Sequence, residues 1–421
     1  MYNLLIFLTA YLPFQLALNP SEGVDLASIR VLAIVVFLFW LAESLKNKKL
    51  FIKKNIQTAL IIIFLFFNLV SVLAAKNPDW AARKLLFLFS IFPLYFAAAA
   101  VLNKEGQVIK ISKVAVFSGG AISFVGIIQF FSQFVFGLEN VYNSWANYVI
   151  VPFLGKTFSA AVLQNPSWLV NISGRTYLRA TATFPDPHML SFFLGLLLPV
   201  ALALFLSEDK KLLYGSMLVG MFICDALTFS RGGYLGIFAG ILAAVIIYWG
   251  KIQKKNKQFL IAVATLLLLV LLVPNPVSKR YLSSFDLKEG SNKGRIETWN
   301  QAIMVVADHP LAGVGIGNYP LEINPTASYR DPIYAHNTYL DIAAETGSLS
   351  ALIWVGILVS APVAFLKKSK ENIIFSAFAI SLAIFSAHSL VETAIYSPVV
   401  LTLLVLILSF SSLNKKNEKT A

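Results

Sequence analysis

Residues 231–250 read RGGYLGIFAGILAAVIIYWG, and after Arg231 the run contains no charged side chain. About 20 residues of α-helix cover the roughly 30 Å hydrocarbon core of a bilayer. A helix also satisfies its own backbone hydrogen bonds, as lipid requires. This stretch therefore reads as a membrane-crossing helix with a guanidinium at one end.

Working outward, runs of similar character recur. The expected spans are 2–18, 29–45, 57–75, 85–103, 112–134, 188–207, 212–229, 231–250, 258–274, 348–366, 372–390 and 394–413, about twelve in all. The 421-residue chain is 57% hydrophobic and only 13% charged, with a mean hydropathy of +0.73, too apolar for an ordinary soluble protein. The fold class expected is an all-α polytopic membrane protein of about 12 transmembrane helices, forming a single integral domain over 1–421. No tandem repeat stands out. The first span lacks a basic leader and reads as a retained helix.

The lysines supply an independent constraint. With the N-terminus in the cytoplasm, KNKKLFIKK (46–54), NKEGQVIKISK (103–113), EDKK (208–211), KIQKKNK (251–257), KKSKE (367–371) and the tail NKKNEK (414–419) share that side. That is the positive-inside pattern, and it places both termini in the cytoplasm. The net charge of +13 is accounted for by this topology and by attraction to anionic membrane phospholipids. No zinc finger or RNA-binding signature calls for a nucleic-acid partner. The lone Cys224 excludes an intramolecular disulfide and a thiolate metal cluster.

Two long connections then face away from the cytoplasm, a first extracytoplasmic loop at 135–187 and a major one at 275–347. In the first, tryptophan, tyrosine and phenylalanine are suited to anchoring at the membrane surface. It ends in RATATFPDPH (179–188), where prolines flank Asp186 and Pro187 suits a helix start. This is either a plain loop-to-helix junction or a segment placing Arg175, Arg179, Asp186 or His188 at a site. In the second, VPNPVSKRYLSSFD (273–286) ends the preceding helix. GRIETWNQAIMVVADHP (294–310) spaces Ile296, Trp299, Ile303 and Val306 as an amphipathic helix ending before Pro310. The glycines of LAGVGIGNYP (311–320) allow close backbone approach, without the lysine of a phosphate-binding loop.

The candidate chemistry lies in charged groups beside apolar runs. Arg231 and Arg295 are either solvated surface arginines or partners of an anion, whose oxygens a guanidinium fork matches with paired donors. His336 in AHNTYLDIAAETG (335–347) is either a structural residue or a group that accepts a proton near neutral pH. A helix starting there puts Asn337 with Asp341, and Asp341 with Glu345, on one face, with Gly347 as its break. His309 reads as a cap or loop residue. The i,i+4 spacing of His388 and Glu392 permits a pair. No HExxH or compact acidic triad supports a metal site, so the expected transfer chemistry is metal-independent and without a cofactor.

TFSRGG (228–233), GRIETWNQAIMVVADHPLAGVGIGNY (294–319) and AHNTYLDIAAETG (335–347), with RATATFPDPHMLS (179–191), together resemble the O-antigen ligase and polymerase superfamily of bacterial membrane proteins. With the hydropathy profile the resemblance covers most of the chain, although PDPH stands where relatives more usually have a proline-asparagine pair. It implies a GT-C-like, all-helical glycosyltransferase of the inner membrane, facing the periplasm or cell exterior. The implied donor is an undecaprenyl-diphosphate-linked glycan. The acceptor hydroxyl belongs to a glycan, lipid A-core or a protein, and transfer inverts the anomeric carbon. The implied roles are His336 for acceptor activation and Arg231 and Arg295, with Arg179 as a weaker addition, for the diphosphate; by their positions Asn337, Asp341, Glu345 and Asp186 are acceptor or site-support candidates. A polysaccharide polymerase and a protein O-oligosaccharyltransferase share these motifs. A lipid-linked glycan transporter or flippase is the alternative of another class.

Overall fold

The computed structural model describes residues 1–21, 24–164, 167–172, 174–249, 290–329, 331–370 and 372–413. Among them, seven helices are long and apolar enough to cross a membrane: Ser28–Lys46, Ile56–Ala74, Pro78–Val101, Glu105–Phe136, Pro187–Ser207, Arg231–Tyr248 and Ser348–Lys368. Tyr2–Phe14, Ile373–His388 and Pro398–Phe410 are shorter apolar helices, and Lys211–Leu227 lies between two of the long ones. The chain is thus a mainly helical, polytopic membrane protein. The expected span at 258–274, the basic run at 251–257, the proline-bearing exit at 273–286 and the lysine tail at 414–419 lie outside the described residues.

Several boundaries differ from the hydropathy reading, among them the fifth, which starts at Glu105, and the last, which runs Pro398–Phe410. The first span ends early: Tyr2–Tyr11 tightens into a 3-10 turn at Leu12–Phe14, where Pro13 has no N–H to continue a helix, and a β hairpin pairs Ala17–Ser21 with Val24–Ala27. The fourth begins about two turns earlier than its apolar run. The Asn77 side chain caps Pro78–Ile91, and Pro93 then splits this helix from Pro93–Val101 at Phe92.

Pro187–Ser207 is the central helix. Of its apolar window 83% is buried, against 28% for Ser28–Lys46 and Arg231–Tyr248, which turn much of their surface outward. Arg231–Tyr248 packs on Ile373–His388 through Gly232, Gly236 and Gly240, one turn apart. A Cβ at these positions would press into His388 or Ile384. Small residues of this kind let helix backbones approach without a hydrophobic driving force. This close packing brings the Ser230–Arg231 turn against the end of the Ile373–His388 helix.

The connections gather at two ends of the bundle. At one, Lys53 meets Asn103 (3.0 Å), Asn55 meets Ser412 (2.9 Å), Lys113 meets Glu208 (2.7 Å), and Asn372 meets Glu105 (2.6 Å). The lysine-bearing segments at 46–54, 103–113, 208–211 and 367–371 therefore share an end. At the other, the Thr183 hydroxyl donates to the Pro13 carbonyl (2.6 Å), Asn77 N–H donates to Asn318 (2.6 Å), and Lys76 pairs with Glu322 (2.6 Å).

At that second end, residues 138–164 form short helices, and Leu169–Ile172 pairs antiparallel with Arg175–Leu178. Two of the aromatics expected to anchor in the membrane surface instead hold the 179–188 segment. Trp145 Nε1 donates to the Ala182 carbonyl (2.8 Å), and Trp168, fully buried, donates through Nε1 to the Pro185 carbonyl (2.7 Å).

Candidate active site

Four stretches meet here: 179–188, 228–233, 295–341 and 388–396. Gln129, buried in the Glu105–Phe136 helix, accepts from Thr181 N–H (2.9 Å) and Ala182 N–H (2.8 Å) and fixes the first of them. Asp186 then caps the central helix, accepting from His188 N–H (2.7 Å) and Met189 N–H (3.0 Å), with Pro187 at its first position. Burial, with the nearby Glu392 charge adding to it, pushes the Asp186 carboxyl up to about 6.

Arg179 is buried. Its Nε donates to the Thr228 carbonyl (2.7 Å) and its Nη1 to the Ser167 carbonyl (2.8 Å), so the guanidinium ties the first loop to the turn before Arg231. Ser230 caps the next helix by accepting from Gly233 N–H (3.2 Å). The same hydroxyl lies 2.9 Å from His188 Nδ1 and 3.3 Å from His388 Nε2. Arg231, first in the helix, is buried.

Gly290–Asp308 is the expected loop helix. Its packed face is Ala302 and Val305, set against Val314, Tyr319, Ala335 and Ala344, whereas Ile303 is 53% exposed and Ile296 38%. The inward side is thus rotated from the stripe read in the sequence, of which Val306 still packs against this cluster. This orientation brings Arg295 inward, where Nη2 donates to Glu392 Oε2 at 3.2 Å.

Asn337 caps the Thr338–Thr346 helix, accepting from Tyr339 N–H (3.0 Å) and Leu340 N–H (3.2 Å), and Gly347 ends it at φ +90°. A Cβ on Gly347 would collide with the Leu311 carbonyl. Asp341 accepts from Ala335 N–H (2.8 Å) and from the Thr393 hydroxyl. Burial, opposed by these bonds, pushes its carboxyl up to about 6. Glu345 pairs with Lys84 (2.6 Å) and accepts from the Tyr396 hydroxyl (2.9 Å). The glycine loop 313–317 is packed against the chain itself: a Cβ on Gly313 would strike the Glu345 backbone, and one on Gly315 the Ala75 backbone.

His336 lies just before this helix in the left-handed region, at φ +49°, as do Ala182 and Phe229. Non-glycine residues persist there only where their surroundings hold them. Thr338 N–H donates to the Ser389 carbonyl (2.9 Å) and Thr338 Oγ1 to the Glu392 carbonyl (3.0 Å), pinning the His336 backbone to the 389–393 turn. His336 Nδ1 is then 2.7 Å from Glu392 Oε1. Burial by itself would raise the Glu392 carboxyl, but His188, His336 and Arg295 outweigh it and hold the group well below the usual carboxylate range. An ionised carboxylate only accepts, so Nδ1 carries a proton and, in the neutral ring, Nε2 carries the lone pair. Burial works to lower His336, and the Glu392 hydrogen bond and charge reverse that, raising its pKa overall. The side chain is 40% exposed, and Nε2 makes no hydrogen bond among the described residues.

Glu392 is the residue that sequence reasoning did not place at the site. Its proposed partner His388 turns instead to Ser230 and stacks its ring on Phe192, with 3.6 Å between centroids. Glu392 gathers His336, Arg295 and, at 3.7 Å, His188. Among the described residues, no group of three or more histidine, cysteine or acidic side chains is placed to hold a metal ion.

Residues 216–355 match the protein-family model described as O-antigen ligase. This part of the chain is similar to the O-antigen ligase family. Its limits contain Arg231, Arg295, His336, Asn337, Asp341 and Glu345 but stop short of Glu392. Arg179, Asp186 and His188 precede it. The matched region therefore meets side chains from outside its own boundaries. No curated protein matches the chain.

Proposed function

We propose that this protein is a glycosyltransferase of the bacterial inner membrane that moves a glycan from undecaprenyl diphosphate to an acceptor hydroxyl, outside the cytoplasm and without a metal ion. The observation that carries the reading is the His336–Glu392–Arg295 arrangement, in which a histidine with an available Nε2 shares one carboxylate with an arginine. The O-antigen ligase family match supports the reaction class.

The acceptor hydroxyl sits at His336 Nε2 and its oxygen attacks the anomeric carbon. The proton passes to Nε2 while the bond from that carbon to the diphosphate oxygen breaks, releasing undecaprenyl diphosphate. A single displacement inverts the anomeric centre. Glu392 holds the imidazole in the productive tautomer and stabilises the imidazolium that forms. Arg231 and Arg295 meet the diphosphate, and their contribution to rate is the part of that interaction that strengthens as the leaving group gains charge.

The test is incubation of the purified protein in lipid with an undecaprenyl-diphosphate-linked glycan and a panel of lipid, glycan and peptide acceptors, read by mass spectrometry. A new glycosidic linkage, lost in His336→Ala with donor binding kept, is the expected result, and the acceptor used separates ligase from polymerase and protein glycosylation. Donor moved unchanged across vesicles by folded protein would replace this reading with a transporter.

A further inference from the structure

On the proposed site's end of the bundle, beside the loop leading to His336, lies a cluster that the mechanism above does not use. The Trp80 and Tyr329 rings meet edge to face, 5.5 Å apart at 70°, and the Arg83 guanidinium lies 5.2 Å over the Tyr329 ring. Tyr329 is 38% exposed and Arg83 is exposed. The surroundings are fixed: Asn77 accepts from Trp80 N–H (3.2 Å), and Lys84 is locked on Glu345 in the helix that follows His336.

Charge accounting separates Arg83 from its neighbours. Lys76 has Glu322 at 2.6 Å and Lys84 has Glu345 at 2.6 Å, whereas Arg83, between them in sequence, makes no ion pair among the described residues. Stacked on a tyrosine, its planar group is held in orientation while the donor edge stays open to a carboxylate or phosphate. Flat aromatic side chains with a polar edge are suited to the mixed surface of a sugar ring.

We propose that Trp80, Arg83 and Tyr329 form a binding shelf for the acceptor and that the acceptor carries an anionic saccharide unit. This rests on the glycosyl-transfer reading. The shelf belongs to the acceptor because Tyr329 and His336 are on one short segment. Seven residues span at most about 24 Å even when extended, so a saccharide of a few units reaches from the shelf to His336 Nε2.

The test measures binding without turnover. The full chain in phospholipid nanodiscs is titrated with tetragalacturonate, with a phosphorylated mannotetraose, and with the carboxyl-reduced neutral tetrasaccharide. At least one anionic probe is expected to bind about tenfold tighter than the neutral one, and which of the two does so distinguishes carboxylate from phosphate. Arg83→Ala should remove that preference, and Trp80→Ala should weaken all binding about tenfold. Equal affinity for the three probes, no binding of any, or Arg83→Ala binding the anionic probe as wild type would each overturn the shelf. Because no donor is present, these outcomes are separate from failure of the transfer assay.

Discussion

Glu392 Oε1 accepts the His336 Nδ1 proton across 2.7 Å, although 56 positions separate the two residues in the chain. The same carboxylate takes Arg295 at 3.2 Å. The proposed proton acceptor and one proposed diphosphate ligand are therefore oriented by a common group, and disturbing it should affect both.

Removing the imidazole should remove the proton acceptor and little else. His336→Ala is expected to lower transfer about a hundredfold to ten-thousandfold, the usual range for a positioned base. Donor binding, measured with radiolabelled lipid, should stay within about twofold. A variant transferring at wild-type rate would exclude His336 from the chemistry.

Glu392→Gln keeps the shape and removes the charge. Transfer should fall about tenfold to a hundredfold, because the ring loses its fixed orientation. The pH profile carries the sharper test. Only neutral His336 accepts a proton, so the rate rises as pH passes upward through its pKa. Glu392 raises that pKa. The rising limb of the wild type should thus lie above the ordinary histidine range, and in Glu392→Gln it should move to lower pH. An unmoved limb would show that another group titrates.

At Arg231 and Arg295, lysine should not substitute. A lysine keeps the charge but loses the planar paired donors, so Arg295→Lys and Arg231→Lys should each raise the donor KM about tenfold. Steady-state kinetics at saturating acceptor measure this, and unchanged donor KM in both variants would remove the diphosphate assignment.

Lys84 and Glu345 form a largely buried pair, with side chains 14% and 3% exposed. Lys84→Met leaves the carboxylate without its cation and should cost about 3 kcal/mol of stability. Thermal unfolding in detergent should show this as a lowered midpoint, recovered in part by adding Glu345→Gln. A single variant as stable as wild type would show that Tyr396 alone suffices to hold Glu345.

Much of the site was legible locally. A helix starting beside His336 and broken at Gly347 reads from the local sequence, and the structure has it as Thr338–Thr346, with Asn337 as its cap. The start at Pro187 after Asp186 follows from the same short-range chemistry. Partner choice was not legible. His388 and Glu392 stand four apart, yet Gly232 lets His388 pack under Ser230 while Glu392 turns to His336. The loop helix shows the same limit, since its periodicity marked a stripe but tertiary packing selected the face bearing Ala302 and Val305.

The sequence by itself determined that this chain is a helical membrane protein and that His336, Arg231 and Arg295 stand beside apolar helices. Transfer of apolar side chains out of water and the need to satisfy every backbone group in lipid are additive along the chain, so they can be read residue by residue. Only the tertiary structure decided that Glu392, beyond the matched region, joins His336 to Arg295. A buried charge is tolerated only where several donors converge on it, and that convergence depends on how separate helices pack.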